Sequence, residues 1–158
     1  MTPSEVIERL YSAMKAGDIE GVLGWLSENV LIIVPGPPGL GAAGDWHGHT
    51  GARECFRRLG EGHVTERLEF LERVADGPIV VSRLHAAGVA RASGRRFESD
   101  IVHMFTVTDG KVSRLLDFFD TAALTGSATA CGCASRVDTP RRARPCRRSR
   151  AAATPCRP

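Results

Sequence analysis

No stretch of this chain approaches the ~20 consecutive apolar residues that a bilayer-spanning helix needs. The N-terminus also lacks the charged-then-apolar pattern of a secretory leader, so a cytoplasmic location is the default expectation. Cysteine is scarce where a fold would use it: of five in the chain, only Cys55 precedes residue 126. That argues against a disulfide framework. The others, Cys131-x-Cys133, Cys146 and Cys156, lack the paired C-x₂₋₄-C spacing of structural zinc sites, and no metal is assigned. Glycine is plentiful, but no GxGxxG or Walker spacing occurs, which excludes a phosphate cradle of either kind. Aromatic residues make up 6% of the chain, with Tyr11 the one tyrosine, and none lies beyond Phe119.

What is present suffices for one domain: 158 residues with 42% hydrophobic content. Residues 126–158 hold eight arginines and one aspartate; against +3 for the whole chain, this leaves the first 125 residues at −4. The basic tail has no apolar periodicity and no aromatics, so disorder is expected over 125–158 and a folded domain over 1–124. Without aromatic interleaving or an amphipathic stripe, the arginines point to no specific nucleic-acid site and no membrane surface.

In the domain, Thr2-Pro3-Ser4-Glu5 predicts a capped helix start, with Val6, Ile7, Leu10, Tyr11 and Met14 on one face and Gly17 as its end. Asp18 caps a second helix with Ile19, Val22, Leu23 and Leu26 on its apolar side. Val30 to Val34 predicts a strand buried on both faces. Residues 35–49, PGPPGLGAAGDWHGH, read as a long loop whose Trp46, His47 and His49 form either a pocket mouth or plain surface. Thr50 is expected to cap a third helix, with Ala52, Cys55, Phe56 and Leu59 buried. Cys55 at core spacing reads as packing. Val64, Leu68, Phe70 and Val74 then alternate with Thr65, Arg67, Glu69 and Arg73. Ile79 to Arg91 predicts the next strand, with Gly88 marking a bend where another backbone comes close. His85 is expected to line a cavity or face a partner, and His63 to lie on the surface.

Asp100 to Asp120 carries the strongest local signal, two strand-like runs on either side of Thr108-Asp109-Gly110. A three-residue loop would pair Val107 with Lys111. On that register Ile101, His103, Phe105 and Val107 share a face with Ser113, Leu115, Asp117 and Phe119. A two-residue turn would put His103 and Asp117 on opposite faces.

Helices followed by an antiparallel meander give an α+β order. VIERLYSAMKAGDIEGVLGWLSENV, GHTGARECFRRL and HMFTVTDGKVSRLLDFFD, together spanning residues 4–122, resemble the SnoaL-like branch of the NTF2-like superfamily. The resemblance implies an NTF2-like cone: three N-terminal helices packed in a curved antiparallel sheet around an apolar cavity, with a homodimer formed through the sheet. Its polyketide-cyclase members pair a strand histidine with an aspartate as acid and base, and the spacing matches His103 and Asp117. Ketosteroid isomerase residues do not carry over: its tyrosine falls at Leu10, its base at Val34, and its oxyanion acid at His103 or Val102. Arg96, Glu98 and Asp100 only loosely echo the Arg and two Asp of the epoxide hydrolases.

Proton abstraction beside a carbonyl, with no cofactor, needs a base kept away from water. Asp117, flanked by Leu116, Phe118 and Phe119, fits that need, and His103 is placed to orient it and to donate to an enolate oxygen. Tyr11, Trp46, His47, Phe105 and Phe119 are the expected substrate contacts. The expected ligand is a small apolar carbonyl compound. Two functions stay open: a cofactor-free cyclase or isomerase, and a non-catalytic binding or dimerisation module.

Overall fold

In the computed structural model, which describes residues 1–37, 40–121 and 123, α1 (Pro3–Ala16) starts at the predicted capping box. The Thr2 hydroxyl accepts from the Glu5 amide, and the Glu5 carboxylate accepts from the Thr2 amide at 2.6 Å. Such a cap is worth about 1 kcal/mol. Gly17, with φ of 67°, closes the helix in the left-handed conformation that glycine tolerates best. Asp18 caps α2 (Ile19–Trp25) through the Gly21 amide. Val6, Ile7 and Leu10 of α1 and Val22 and Leu23 of α2 bury their side chains in the core.

β1 (Leu26–Val34) follows directly. Val30, Ile32 and Val34 are buried, while Leu31 and Ile33 are only half-buried on the other face, so the strand is covered on one side rather than two. The proline- and glycine-rich segment is not wholly loop either. Gly44–His47 forms a short strand, β2, that pairs with Leu31–Val34. α3 (Gly48–Gly62) begins two residues earlier than Thr50, with His47 at the cap position and no side-chain cap bond. Ala52 and Cys55 are its buried residues.

The meander is β3 (His63–Asp76), β4 (Ile79–Ala90), β5 (Arg96–Thr108) and β6 (Lys111–Phe119), giving a six-stranded sheet in the order β2-β1-β6-β5-β4-β3. The α+β architecture is as expected, with two corrections. β1 runs parallel to β6, so the sheet is mixed; the long return through α3 and the meander supplies the crossover that parallel pairing requires. The third helix follows β1 and β2 rather than joining an N-terminal helical block. The tail expectation concerns residues outside those described.

Bulges decide which residues face in. β3 slips once between Thr65 and Arg67 and again between Phe70 and Glu72. The predicted alternation is therefore broken. Leu68, Phe70 and Arg73 lie opposite the inward residues Ala86, Leu84 and Ser82, whereas Val64 and Val74 lie opposite the outward Val89 and Val81. Gly88 is needed beside the first slip, because a Cβ there would collide with the Val64 carbonyl oxygen.

The β5–β6 turn is the two-residue form. Asp109 and Gly110 have φ of 52° and 72°, and Thr108 pairs with Lys111. Without correction this turn would send His103 and Asp117 to opposite faces. A register shift after Thr106 inserts one extra residue in β6, where the Ser113 hydroxyl donates to the Thr106 carbonyl at 3.2 Å. Beyond it, His103 stands directly opposite Asp117 and both side chains are buried. The expected shared face is right for Leu115, Asp117 and Phe119, Val112 takes the place of Ser113 on it, and the expected loop is not found.

Candidate functional site

Tyr11 and Met14 from α1, Phe56 and Leu59 from α3, and the inward residues of the sheet enclose a cavity of about 660 Å³. That volume lies in the range of small-molecule sites, which are apolar with a few convergent polar groups. Tyr11, His103, Phe105, Asp117 and Phe119 all line it.

The polar groups form a chain. The Tyr11 hydroxyl lies 2.7 Å from His103 Nδ1, and His103 Nε2 lies 3.4 Å from Asp117 Oδ1. Burial pushes the Tyr11 phenol well above its usual range, with the neighbouring Ser82 hydroxyl and Arg73 guanidinium opposing. A neutral phenol donates, so His103 accepts at Nδ1 and carries its proton at Nε2, toward Asp117. The Nε2–Oδ1 contact is too long and poorly aligned for a hydrogen bond, and Asp117 Oδ1 is buried without a hydrogen-bond partner among the described residues. A buried acceptor in that condition costs free energy, which is a reason to look for a ligand there.

Aromatic packing holds the chain in place. The Tyr11 ring meets Phe70 and Phe105 edge-on, with centroids 4.6 and 5.8 Å away, and lies nearly parallel to the His103 ring. Phe105, fully buried, also meets His103 edge-on at 5.7 Å. Cys55 lines the cavity too. Burial, aided by the Asp117 charge, pushes its thiol up to about 12, which leaves it protonated and unreactive, in line with the packing role expected.

Trp46 and His47 are not among the cavity-lining residues. Trp46 donates from Nε1 to the Ala42 carbonyl at 3.0 Å beneath the Arg58 guanidinium, and His47 is exposed at the start of α3. The strand β2 holds both on the sheet edge, where a free loop would have let them reach a pocket mouth. His63 is the reverse case: expected on the surface, it is half-buried and lines the cavity. The break in β3 alternation at Glu66 turns it inward, and composition carries no sign of that break.

A second histidine–aspartate pair lies on the outer face. His85 stands directly opposite Asp100, Nδ1 to Oδ1 at 2.8 Å, and Arg83 bonds both Asp100 and Glu72 at 3.0 Å. Next to this network an apolar row crosses the sheet, pairing Val74 with Val81, Val81 with Met104, Met104 with Leu116 and Leu116 with Ile33. Phe118 is 47% exposed beside it. The described residues contain no group of three or more His, Cys, Asp or Glu side chains placed to hold a metal ion, and no helix long and apolar enough to cross a membrane.

Solved structures place this architecture among known proteins. TerC, co-crystallized with polyporic acid, is 30% identical over 79% of this chain and 97% of its own, with a TM-score of 0.71. An NTF2-like protein of Burkholderia xenovorans is 28% identical over 78% of this chain and 93% of its own, with a TM-score of 0.69. IdmH of Streptomyces antibioticus, a proposed polyketide cyclase, shares the fold at 22% identity over 80% of this chain and 97% of its own, with a TM-score of 0.63. No curated protein sequence matches the chain significantly. The model of the SnoaL-like domain matches residues 7–115. With that match over most of its length, the chain belongs to the SnoaL-like domain family.

Proposed function

We propose that the protein catalyses a cofactor-free proton transfer, of the kind that starts an aldol cyclisation or an isomerisation, on an apolar carbonyl compound held in the cavity. The observation that carries this reading is the unpartnered, buried Asp117 Oδ1 beside a histidine whose other nitrogen is engaged by Tyr11. In this reading Asp117 takes a proton from the carbon next to the carbonyl. The electron pair moves onto the carbonyl oxygen, and the resulting enolate accepts a hydrogen bond from His103 Nε2–H. Tyr11 fixes the tautomer and ring angle of His103. Phe105 and Phe119 pack the apolar body of the substrate and keep water out, which strengthens each of these interactions. The co-crystal of TerC with polyporic acid supports a small organic ligand for this chain as well.

A homodimer through the outer sheet face forms part of the same proposal. The apolar row from Val74 to Ile33 with Phe118 exposed beside it is the surface that a second copy would cover. The second reading, a binding module without catalysis, is favoured by one observation: the 3.4 Å Nε2–Oδ1 separation, longer than a catalytic pair needs.

Deuterium exchange at the α-carbon of 2-tetralone separates the two readings. The wild-type protein is expected to accelerate exchange over buffer, and Asp117→Asn to lose the acceleration while binding the ketone within a few-fold. Exchange at the buffer rate with the ketone bound to wild-type protein leaves the binding module as the function.

A further inference from the structure

Among the polar residues of the cavity lining that the proton-transfer reading leaves unused, Lys15, Thr65, Glu66 and Arg67 are exposed, whereas Ser99 and His63 are not. His63, the first residue of β3, lines the cavity with its ring edge-on to Phe97, centroids 5.4 Å apart. Phe97 is six residues before His103 on β5, at most about 20 Å of extended strand. The cavity therefore has polar groups at two stations along the same strand direction. The lining between them is mainly apolar, with Leu68, Ala86 and Ile101. Ser99 also lies between them, but its hydroxyl is engaged, donating to the Asp100 carbonyl and accepting from the Asp120 amide. Neither ring nitrogen of His63 hydrogen bonds to a described residue.

We infer that His63 is a second hydrogen-bonding station and that the ligand is an elongated aromatic molecule with an oxygen at each end. One oxygen is held at His103 and Asp117 and the other at His63, so the inference rests on the cavity assigned above. Burial lowers the affinity of His63 for a proton, with the Asp117 charge opposing, so the ring is neutral at physiological pH. A neutral imidazole offers one donor and one acceptor and can meet either a phenol or a carbonyl.

Two probes that differ by a single hydroxyl test this: 4,4′-dihydroxystilbene and 4-hydroxystilbene, titrated against the full chain by calorimetry. One neutral hydrogen bond predicts about three- to ten-fold tighter binding of the diphenol. His63→Phe erases that preference and leaves the monophenol's affinity unchanged, while His63→Gln, which keeps a donor and an acceptor, retains it. In the unmodified protein, the diphenol shifts the nuclear resonances of the His63 ring. Both phenols binding equally to wild type, a preference that survives in His63→Phe, or unmoved His63 resonances overturn the inference and leave the proton-transfer proposal standing. Failure of both phenols to bind overturns the inference, and the 2-tetralone exchange decides the proton-transfer proposal separately.

Discussion

Two histidine–aspartate pairs face each other across neighbouring strands in this sheet, and only their surroundings differ. His85 and Asp100 face outward, close at 2.8 Å, with Arg83 sharing the carboxylate. His103 and Asp117 face inward, at 3.4 Å, with one carboxylate oxygen unpartnered. In the outer pair every strong group is satisfied and water screens it, so it contributes little and has nothing left to offer a ligand. The inner pair is incomplete in a dry place. The proposed reactivity rests on that deficit, and pairing alone does not create it.

The largest test of the contrast replaces each aspartate in turn. Asp117→Asn should reduce turnover by about 10²–10⁴-fold, the range of a lost general base, while Asp100→Asn leaves it unchanged. Thermal unfolding should show Asp117→Asn no less stable than wild type, since a buried carboxylate oxygen without a partner costs energy. A loss of about 1–3 kcal/mol with no activity to lose would mark the inner pair as structural. Next in size is Phe118→Glu, which puts a charge on the proposed contact face. Sedimentation should show a wild-type dimer and a monomeric variant at micromolar concentration, and a monomeric wild type would remove the dimer from the proposal.

Tyr11→Phe deletes the donor to His103 Nδ1 and keeps the ring packing. Turnover should fall about ten-fold, with a stability loss near 1 kcal/mol measured by urea unfolding. The smallest effect belongs to the outer pair. The His85 hydrogen bond, then Arg83, hold the Asp100 carboxyl below its usual range. A depressed carboxylate contributes stability above its unfolded value and loses it as pH falls through the folded one. Asp100→Asn should therefore flatten the acid limb of the stability profile below about pH 4, seen as a smaller drop in melting temperature between pH 5 and 3.

The elements legible in the sequence are those with local causes. The Thr2–Glu5 capping box and the Gly17 stop are written in adjacent residues, and so is the presence, though not the length, of the turn at Asp109-Gly110. What failed depends on distant strands. β2 forms because β1 offers Leu31–Val34 as a pairing edge, and the proline-rich run before it concealed that offer; this is why Trp46 and His47 were misplaced. His63 faces inward because the slip between Thr65 and Arg67 resets its alternation, and a bulge leaves no composition of its own. His103 and Asp117 share the expected inward face through a register that differs from the expected one in its turn and is compensated downstream.

That compensation makes β6 tolerant of substitution and intolerant of changes in length. The extra residue near Ser113 sets the phase between the turn and the strand half that carries Asp117. Exchanging the side chain at Ser113 or Arg114 alters a surface contact. Removing either residue instead rotates the rest of the strand by one step, turning Asp117 out to solvent and bringing Leu116 or Phe118 into the cavity. Relatives that gain or lose one residue here would need a matching change in the turn to keep a carboxylate inside. Chain length between Gly110 and Asp117 is therefore a stricter signature of this site than any residue within that interval.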